Sequence, residues 1–213
     1  MPKSPETKNL TRDGRQTIHR ERLVKAAARL FAKNGYHATS VAELGAAVKL
    51  GRGALYHHMG DKENLLEEIS IRHVEQMVQY GESVLDSDLT PPDQIRALSR
   101  KLMETIAKDL DEITVFFREV HSLRGKARRH VFDQRERYEA IWRTVLDQGV
   151  ERGYFRMGGP LVTKALLGMH NYSYVWISKS GELPATDIAD LFCDLVLPGL
   201  LTDQARSGTL PTS

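Results

Sequence analysis

The residues with the most to offer chemically stand together in Gly51-Arg52-Gly53-Ala54-Leu55-Tyr56-His57-His58. A guanidinium donates two parallel hydrogen bonds to the O6 and N7 edge of guanine, a contact that discriminates between bases by about 1–3 kcal/mol. Gly51 and Gly53 on either side of Arg52, with the small Ala54 next to them, would let the backbone come close to a duplex. There the free N–H groups of a helix start can meet phosphate. One turn on, the phenol of Tyr56 and the imidazole of His57 can hydrogen-bond phosphate oxygens and fix register. Thr39, Ser40 and Lys62 are expected to flank the same groove. Plainer readings stand beside these: Tyr56 packed under a neighbouring helix, His57 and His58 merely solvated, Lys62 an ordinary surface charge. Adjacent histidines on a helix point in different directions, so no metal pair is expected.

Other chemistries find no support in the chain. His-Glu-x-x-His, paired cysteine ligands, Gly-x-Ser-x-Gly and Gly-x4-Gly-Lys-Ser/Thr are all absent from the sequence. Gly51-Arg52-Gly53 lacks the third glycine and the preceding strand of a dinucleotide site. Glu119 and His121 are two residues apart, on different faces of a helix, and Cys193 lies on an apolar stripe where a thiol packs inertly. The expectation is a protein that binds, without cofactor or metal, and not an enzyme.

The elements that must position these residues are helical throughout. Apolar residues recur at three- and four-residue spacing from Ile18 through Leu23, Ala27, Leu30 and Phe31, and Asn34-Gly35 is a C-terminal cap. Ser40-Val41-Ala42-Glu43 has the form of a capping box, opening a short helix to about Val48. A turn at Lys49–Gly51 leads to a second short helix ending near His58, and Asp61 caps a long one. Further on, Asp88–Asp93 caps a helix running to about Leu110, and Gly125 separates two more. Tyr138, Ile141, Trp142, Val145, Leu146 and Val150 form one stripe. Gly158-Gly159-Pro160 and Pro184 open the last two helices. No strand alternation competes, so the fold class is all-α: three short helices and about six longer ones, without internal repeat. The expected segments are a flexible arm over 1–15, a small basic unit over 16–60, a larger helical bundle over 61–203, and a flexible tail over 204–213.

Charge divides the chain in the same way. Of the net +2, residues 1–66 hold +6 and the remainder −4, so a polyanion partner is expected for the first part only. A content of 41% hydrophobic and 27% charged residues suits a globular chain with a real core. A single cysteine fits a reducing compartment. With no apolar run long enough to span a bilayer and no leader pattern, the expected location is the cytoplasm, with no membrane partner.

Two short helices joined by a tight turn and preceded by a third form a helix-turn-helix, whose second helix enters the major groove. The run Phe31-Ala-Lys-Asn-Gly-Tyr36, Thr39-Ser40-Val41-Ala42-Glu43-Leu44, Gly53-Ala54-Leu55-Tyr56-His57-His58-Met59-Gly60-Asp61-Lys62-Glu63 and Leu65-Leu66 resembles the DNA-binding domain of the TetR family of bacterial transcriptional regulators. The resemblance covers nearly all of residues 20–66. It implies a homodimeric, usually repressing regulator that leaves a palindromic operator when a small molecule binds its C-terminal domain. Lys49 stands where the family usually has glycine, Gly51 where it has serine or threonine, and Met59 where it has phenylalanine. A helical protein-interaction module with no preference for any DNA sequence is the rival reading.

The C-terminal part is similar, more loosely, to TetR-type regulators of fatty-acid and sterol-ring catabolism. That similarity rests on Thr114–Glu119, Tyr138–Trp142, Leu166–Trp176 and Ile188–Phe192, and it implies an acyl-CoA thioester as effector; an unrelated hydrophobic drug or metabolite is the other reading. Met103, Phe117, Tyr138, Trp142, Met169, Tyr172 and Trp176 are the candidate walls of an apolar pocket, or else plain core. Arg124-Gly-Lys126-Ala-Arg128-Arg129 is the candidate cationic mouth for CoA phosphates, or else a solvated helix start. The stripe Ile188, Leu191, Phe192, Leu195 and Val196 suits an isologous contact between the last helices of two subunits, or an internal core face. Two copies of a short recognition helix, one duplex turn apart or a multiple of it, would add their binding energies.

Overall fold

Side-chain caps open several of the helices. In the computed structural model, which describes residues 12–178 and 181–209 with side chains from residue 19, the helices are α1 (Arg12–Asn34), α2 (Val41–Val48), α3 (Arg52–Met59), α4 (Lys62–Leu85), α5 (Pro91–Lys108), α6 (Leu110–Glu119), α7 (Gly125–Glu151), α8 (Gly159–Tyr172), α9 (Ala185–Leu200) and α10 (Asp203–Ser207). Ser40 and Glu43 close the expected capping box. Asp61 accepts from the Asn64 N–H at the head of α4, and Thr90 from the Asp93 N–H at the head of α5. Each such cap satisfies a backbone donor that has no intrahelical partner, worth about 1 kcal/mol. Among the described residues there is no strand, only an isolated bridge between Phe155 and Leu201.

Four boundaries differ from the sequence reading. The first helix is long, not short, and begins at Arg12, inside the stretch expected to be an arm; residues 1–11 lie outside the described residues. The helix expected to end near Leu110 breaks at Asp109 instead, and α6 starts immediately after it. α8 stops at Tyr172 and gives way to a 3-10 turn over Ser173–Val175, so Trp176 leaves the helical register. Thr202 caps the short α10 within the expected tail, of which residues 210–213 lie outside the described residues.

Two apolar cores result. Leu23, Val24, Ala27, Phe31, Leu44, Leu55 and Met59 of the first three helices are sealed by Leu65, Leu66 and Ile69 of α4, and by Val115, Val120 and Val131 from around the α6–α7 corner. The second core gathers Met77 and Val78 of α4, Leu98 and Met103 of α5, Trp142 and Val145 of α7, Leu166 of α8 and Cys193 of α9. α4 belongs to both. An ionic chain ties α1 to it, since Arg20 pairs with Glu68 at 2.5 Å and Glu68 pairs with Arg72 at 2.8 Å.

Candidate nucleic-acid interface

The helix-turn-helix is set by how closely α2 and α3 approach. A side chain at Gly45 would meet the Leu50 carbonyl and Leu55 Cδ2, each at 3.2 Å, so any larger residue there would press α2 and α3 apart by a few tenths of an ångström. Sequence reading passed over this residue, because a small residue inside a helix carries no periodic signal. The turn itself is made by Lys49 in the left-handed region (φ 57°), its N–H donating to the Ala46 carbonyl. A lysine in that conformation costs about 1–2 kcal/mol relative to one in the ordinary helical region.

α3 presents its leading end to solvent. Arg52, Gly51, Gly53, Ala54 and His57 are all exposed, and Tyr56 is 43% exposed. The Arg52 guanidinium lies 5.9 Å from the Tyr56 ring centroid. Neither Gly51 nor Gly53 has a positive φ, and a Cβ added at either meets nothing within 4 Å. The fold therefore requires glycine at neither place, and what the missing side chains clear is space outside the molecule. His58 turns back against α1, its ring 5.7 Å from that of His19, and its carbonyl accepts from Arg20. Burial lowers its pKa, with the neighbouring His57, His19 and Arg20 acting in the same direction.

Two expected flanking residues have internal work. Thr39 is 1% exposed, and its hydroxyl donates to the Gly35 carbonyl at 2.9 Å. It closes the C-terminal end of α1, so it does not face the groove as expected. The Lys62 Nζ donates to the Tyr36 carbonyl at 2.7 Å and to the Thr39 carbonyl at 2.9 Å, beneath the Tyr36 ring face at 4.3 Å. Burial lowers its pKa, and Glu119 pulls the other way. Lys62 is thus a strut from α4 to the α1–α2 turn. Ser40 is exposed, but its hydroxyl donates to Glu43 at 2.7 Å.

A second site opens in the body. A cleft of about 390 Å³ between α7 and α8 is lined by Phe117, Arg135, Tyr138, Glu139, Lys164 and Tyr172, among others. Phe117, Arg135, Tyr138 and Asn171 also line a smaller chamber of about 50 Å³ that is walled by α4, α5 and α6. Of the seven expected walls, Phe117, Tyr138 and Tyr172 line the cleft. Met103 and Trp142 are fully buried in the core, Met169 is half-buried, and Trp176 is half-exposed beside Phe192. Arg124, Lys126, Arg128 and Arg129 are not among the cleft's lining. They stand at the head of α7, where the Arg124 N–H donates to Glu63 near the start of α4. The cations at the cleft are Arg135 and Lys164, from two different helices, a pairing no local motif announces.

α8 and α9 divide their apolar residues between two directions. Ile188 is buried in its own subunit's core, a correction to its expected place on a contact surface. Phe192 and Val196 are half-buried, while Leu191 and Leu195 are 52% and 68% exposed. Leu161 on α8 is 81% exposed and Leu183, just before α9, is 61% exposed. Most of the large exposed apolar side chains lie between Leu161 and Leu195. No helix of the described residues is long and apolar enough to cross a membrane, and no cluster of metal-ligating side chains occurs among them.

Comparison with known proteins agrees with both halves. Residues 23–69 match the family model of bacterial regulatory proteins of the tetR family, and residues 88–200 match that of the tetracyclin repressor-like C-terminal domain. The transcriptional repressor KstR2 of Mycobacterium tuberculosis is 26% identical over 190 residues, spanning 88% of this chain and 95% of that protein. The TetR family regulator PfmR of Thermus thermophilus superposes with a TM-score of 0.78 at 32% identity, covering 83% of this chain and 97% of PfmR. AibR, solved in complex with isovaleryl coenzyme A and operator DNA, gives a TM-score of 0.75 at 26% identity, covering 84% of this chain and 98% of its own. By both family models and by these relatives, this chain belongs to the TetR family and is a DNA-binding transcriptional repressor of that type.

Proposed function

We propose that the chain acts in the cytoplasm as a homodimer, binding a palindromic operator through two copies of α3 and leaving it when a hydrophobic acyl-CoA thioester occupies the cleft. The observation that carries the DNA half is Arg52, exposed between two glycines that the fold does not require. Exposed Leu191 and Leu195 on α9 and Leu161 on α8 supply the dimer surface. For the effector, the support is a cleft with aromatic walls and two cations, together with the coenzyme A ester bound to AibR. α4 is the link: His73, Val74 and Met77 face the inner chamber, while Leu65, Leu66 and Ile69 sit in the core beneath α3. A ligand that displaces the middle of α4 therefore moves the surface on which the reading helix rests.

The test is binding-site selection from random duplexes, followed by titration of the selected site with salt and with candidate effectors. A palindrome should emerge, its affinity falling steeply with ionic strength. Arg52→Ala should relax choice at one base pair per half-site, by about 1–3 kcal/mol. Acyl-CoA thioesters should release the DNA where the free acids do not. Sequence-blind binding would overturn the operator reading, and release by free acids alone would overturn the thioester.

A further inference from the structure

Between α2 and α3 lies a recess of about 400 Å³. Gly45 and Leu55, both buried, form its floor, and Val41, Ala42 and Ala46 stand in its walls. Arg52 and Tyr56 also line it, and they are its only side chains with polar atoms. The space exists because α2 keeps small residues one turn apart here, Val41 above Gly45 and Ala42 above Ala46. Ala42 and Ala46 are both exposed, so a longer side chain at either place would fill the recess from outside.

The chemistry of the walls narrows what can enter. In its major groove a double helix offers hydrogen-bond donors and acceptors on every base pair, and a single apolar group, the 5-methyl of thymine. Phosphate oxygens laid against alkyl side chains would lose hydration and gain no donor in return. The polar lining belongs to α3 and the small apolar lining to α2. Arg52 is the side chain assigned to guanine, so the recess is continuous with the surface assigned to base reading. A base beside the one that Arg52 reads is therefore presented to alkyl groups.

We propose that α2 takes a direct part in reading the operator: the recess receives the 5-methyl group of a thymine beside the base pair read by Arg52, with Ala42 and Ala46 against it. The contact selects by apolar burial and makes no hydrogen bond. It tells thymine from cytosine by the methyl alone, and on that count it accepts 5-methylcytosine as well. Burying one methyl favours the methylated base by about fourfold per half-site, and by about fifteenfold over the two half-sites of a palindrome. This rests on α3 being the reading helix of an operator, and it does not depend on the effector.

Each thymine of the selected duplex, replaced in turn by deoxyuridine, tests it, since deoxyuridine keeps every hydrogen-bonding group and lacks only the methyl. Fluorescence anisotropy with the full chain should show one sensitive position per half-site, next to the base pair at which Arg52→Ala relaxes choice, with a loss of about fourfold. Cytosine placed there should bind more weakly than 5-methylcytosine by the same factor. Ala46→Ser and, separately, Val41→Thr set a hydroxyl on the wall with little change of size. Each should bring the thymine-to-deoxyuridine ratio towards one, a readout that a general loss of affinity or stability does not move. A selected palindrome with no thymine beside that base pair, deoxyuridine tolerated at every position, or a ratio unmoved by both variants would overturn the inference. Sequence-blind binding would overturn the operator reading and this inference with it, whereas a palindrome indifferent to its methyl groups would overturn this inference alone.

Discussion

Replacing Gly53 with alanine separates what the fold needs from what the DNA needs. Gly53 lies in the first turn of α3 with no positive φ, and a Cβ added there meets nothing within 4 Å. Alanine loses less conformational freedom than glycine on entering a helix, a difference of about 0.5–1 kcal/mol in an interior position. In a first turn the lower figure applies, so the variant should gain about 0.5 kcal/mol. For a chain of this size that raises Tm by about 1–2 °C. Against DNA the sign reverses. If the backbone beside Arg52 donates to phosphate, a methyl group on the approaching surface lengthens a charge-assisted hydrogen bond worth about 1.5–3 kcal/mol. Operator affinity should then fall by about ten- to a hundredfold. Calorimetric melting and fluorescence anisotropy on the selected duplex at one fixed salt concentration read the two quantities separately. A variant that melts higher and binds as tightly as the wild type would refute the claim that this glycine serves the duplex. A variant that melts lower would refute the claim that the fold has no use for it.

Three further outcomes follow from other contacts. Lys49→Gly relieves the left-handed strain at the α2–α3 turn, and after the extra entropy of glycine in the unfolded chain should stabilise by up to about 1 kcal/mol in urea titration. Lys62→Met strands the Tyr36 and Thr39 carbonyls and should cost about 1–3 kcal/mol of stability, visible in melting with no DNA present; an unchanged melt would mean that Lys62 serves phosphate and not the turn. Leu195→Glu places a charge on the most exposed residue of the α9 stripe. It should convert a dimer to monomer in sedimentation without lowering the melting of the monomer, and unaltered mass would remove α9 from the interface.

Much of this was legible in the chain because caps and breakers act locally. Ser40 with Glu43, Asp61, and Pro91 after Thr90 fix their helix starts through neighbours three residues away. The exposure of Arg52, Tyr56 and His57 was legible for a related reason, since polar residues at a helix start beside Leu55 and Met59 leave only one face to bury. The start of α1 was not, as residues 12–17 contain no apolar side chain for a period to count. Nor were Thr39 and Lys62, whose partners are backbone carbonyls brought near by the turn after α1. Periodicity marks Trp142 and Tyr138 alike as inward-facing. Only the packing of α4 and α5 decides that one is sealed while the other borders a cavity.

The sharing of α4 between two cores bears on how this protein can be cut and recombined. A graft that transplants residues 16–60 as a reading head would leave behind Leu65, Leu66 and Ile69, and the corner from Val115 through Leu123 to Val131, all of which close the floor under Leu44 and Leu55. The exchangeable part is discontinuous, made of the first three helices, the first half of α4 and that distant corner. A chimera that changes operator choice while keeping the sensor should therefore exchange surface residues of α3 alone, whereas one that changes the sensor must carry a matching corner with it.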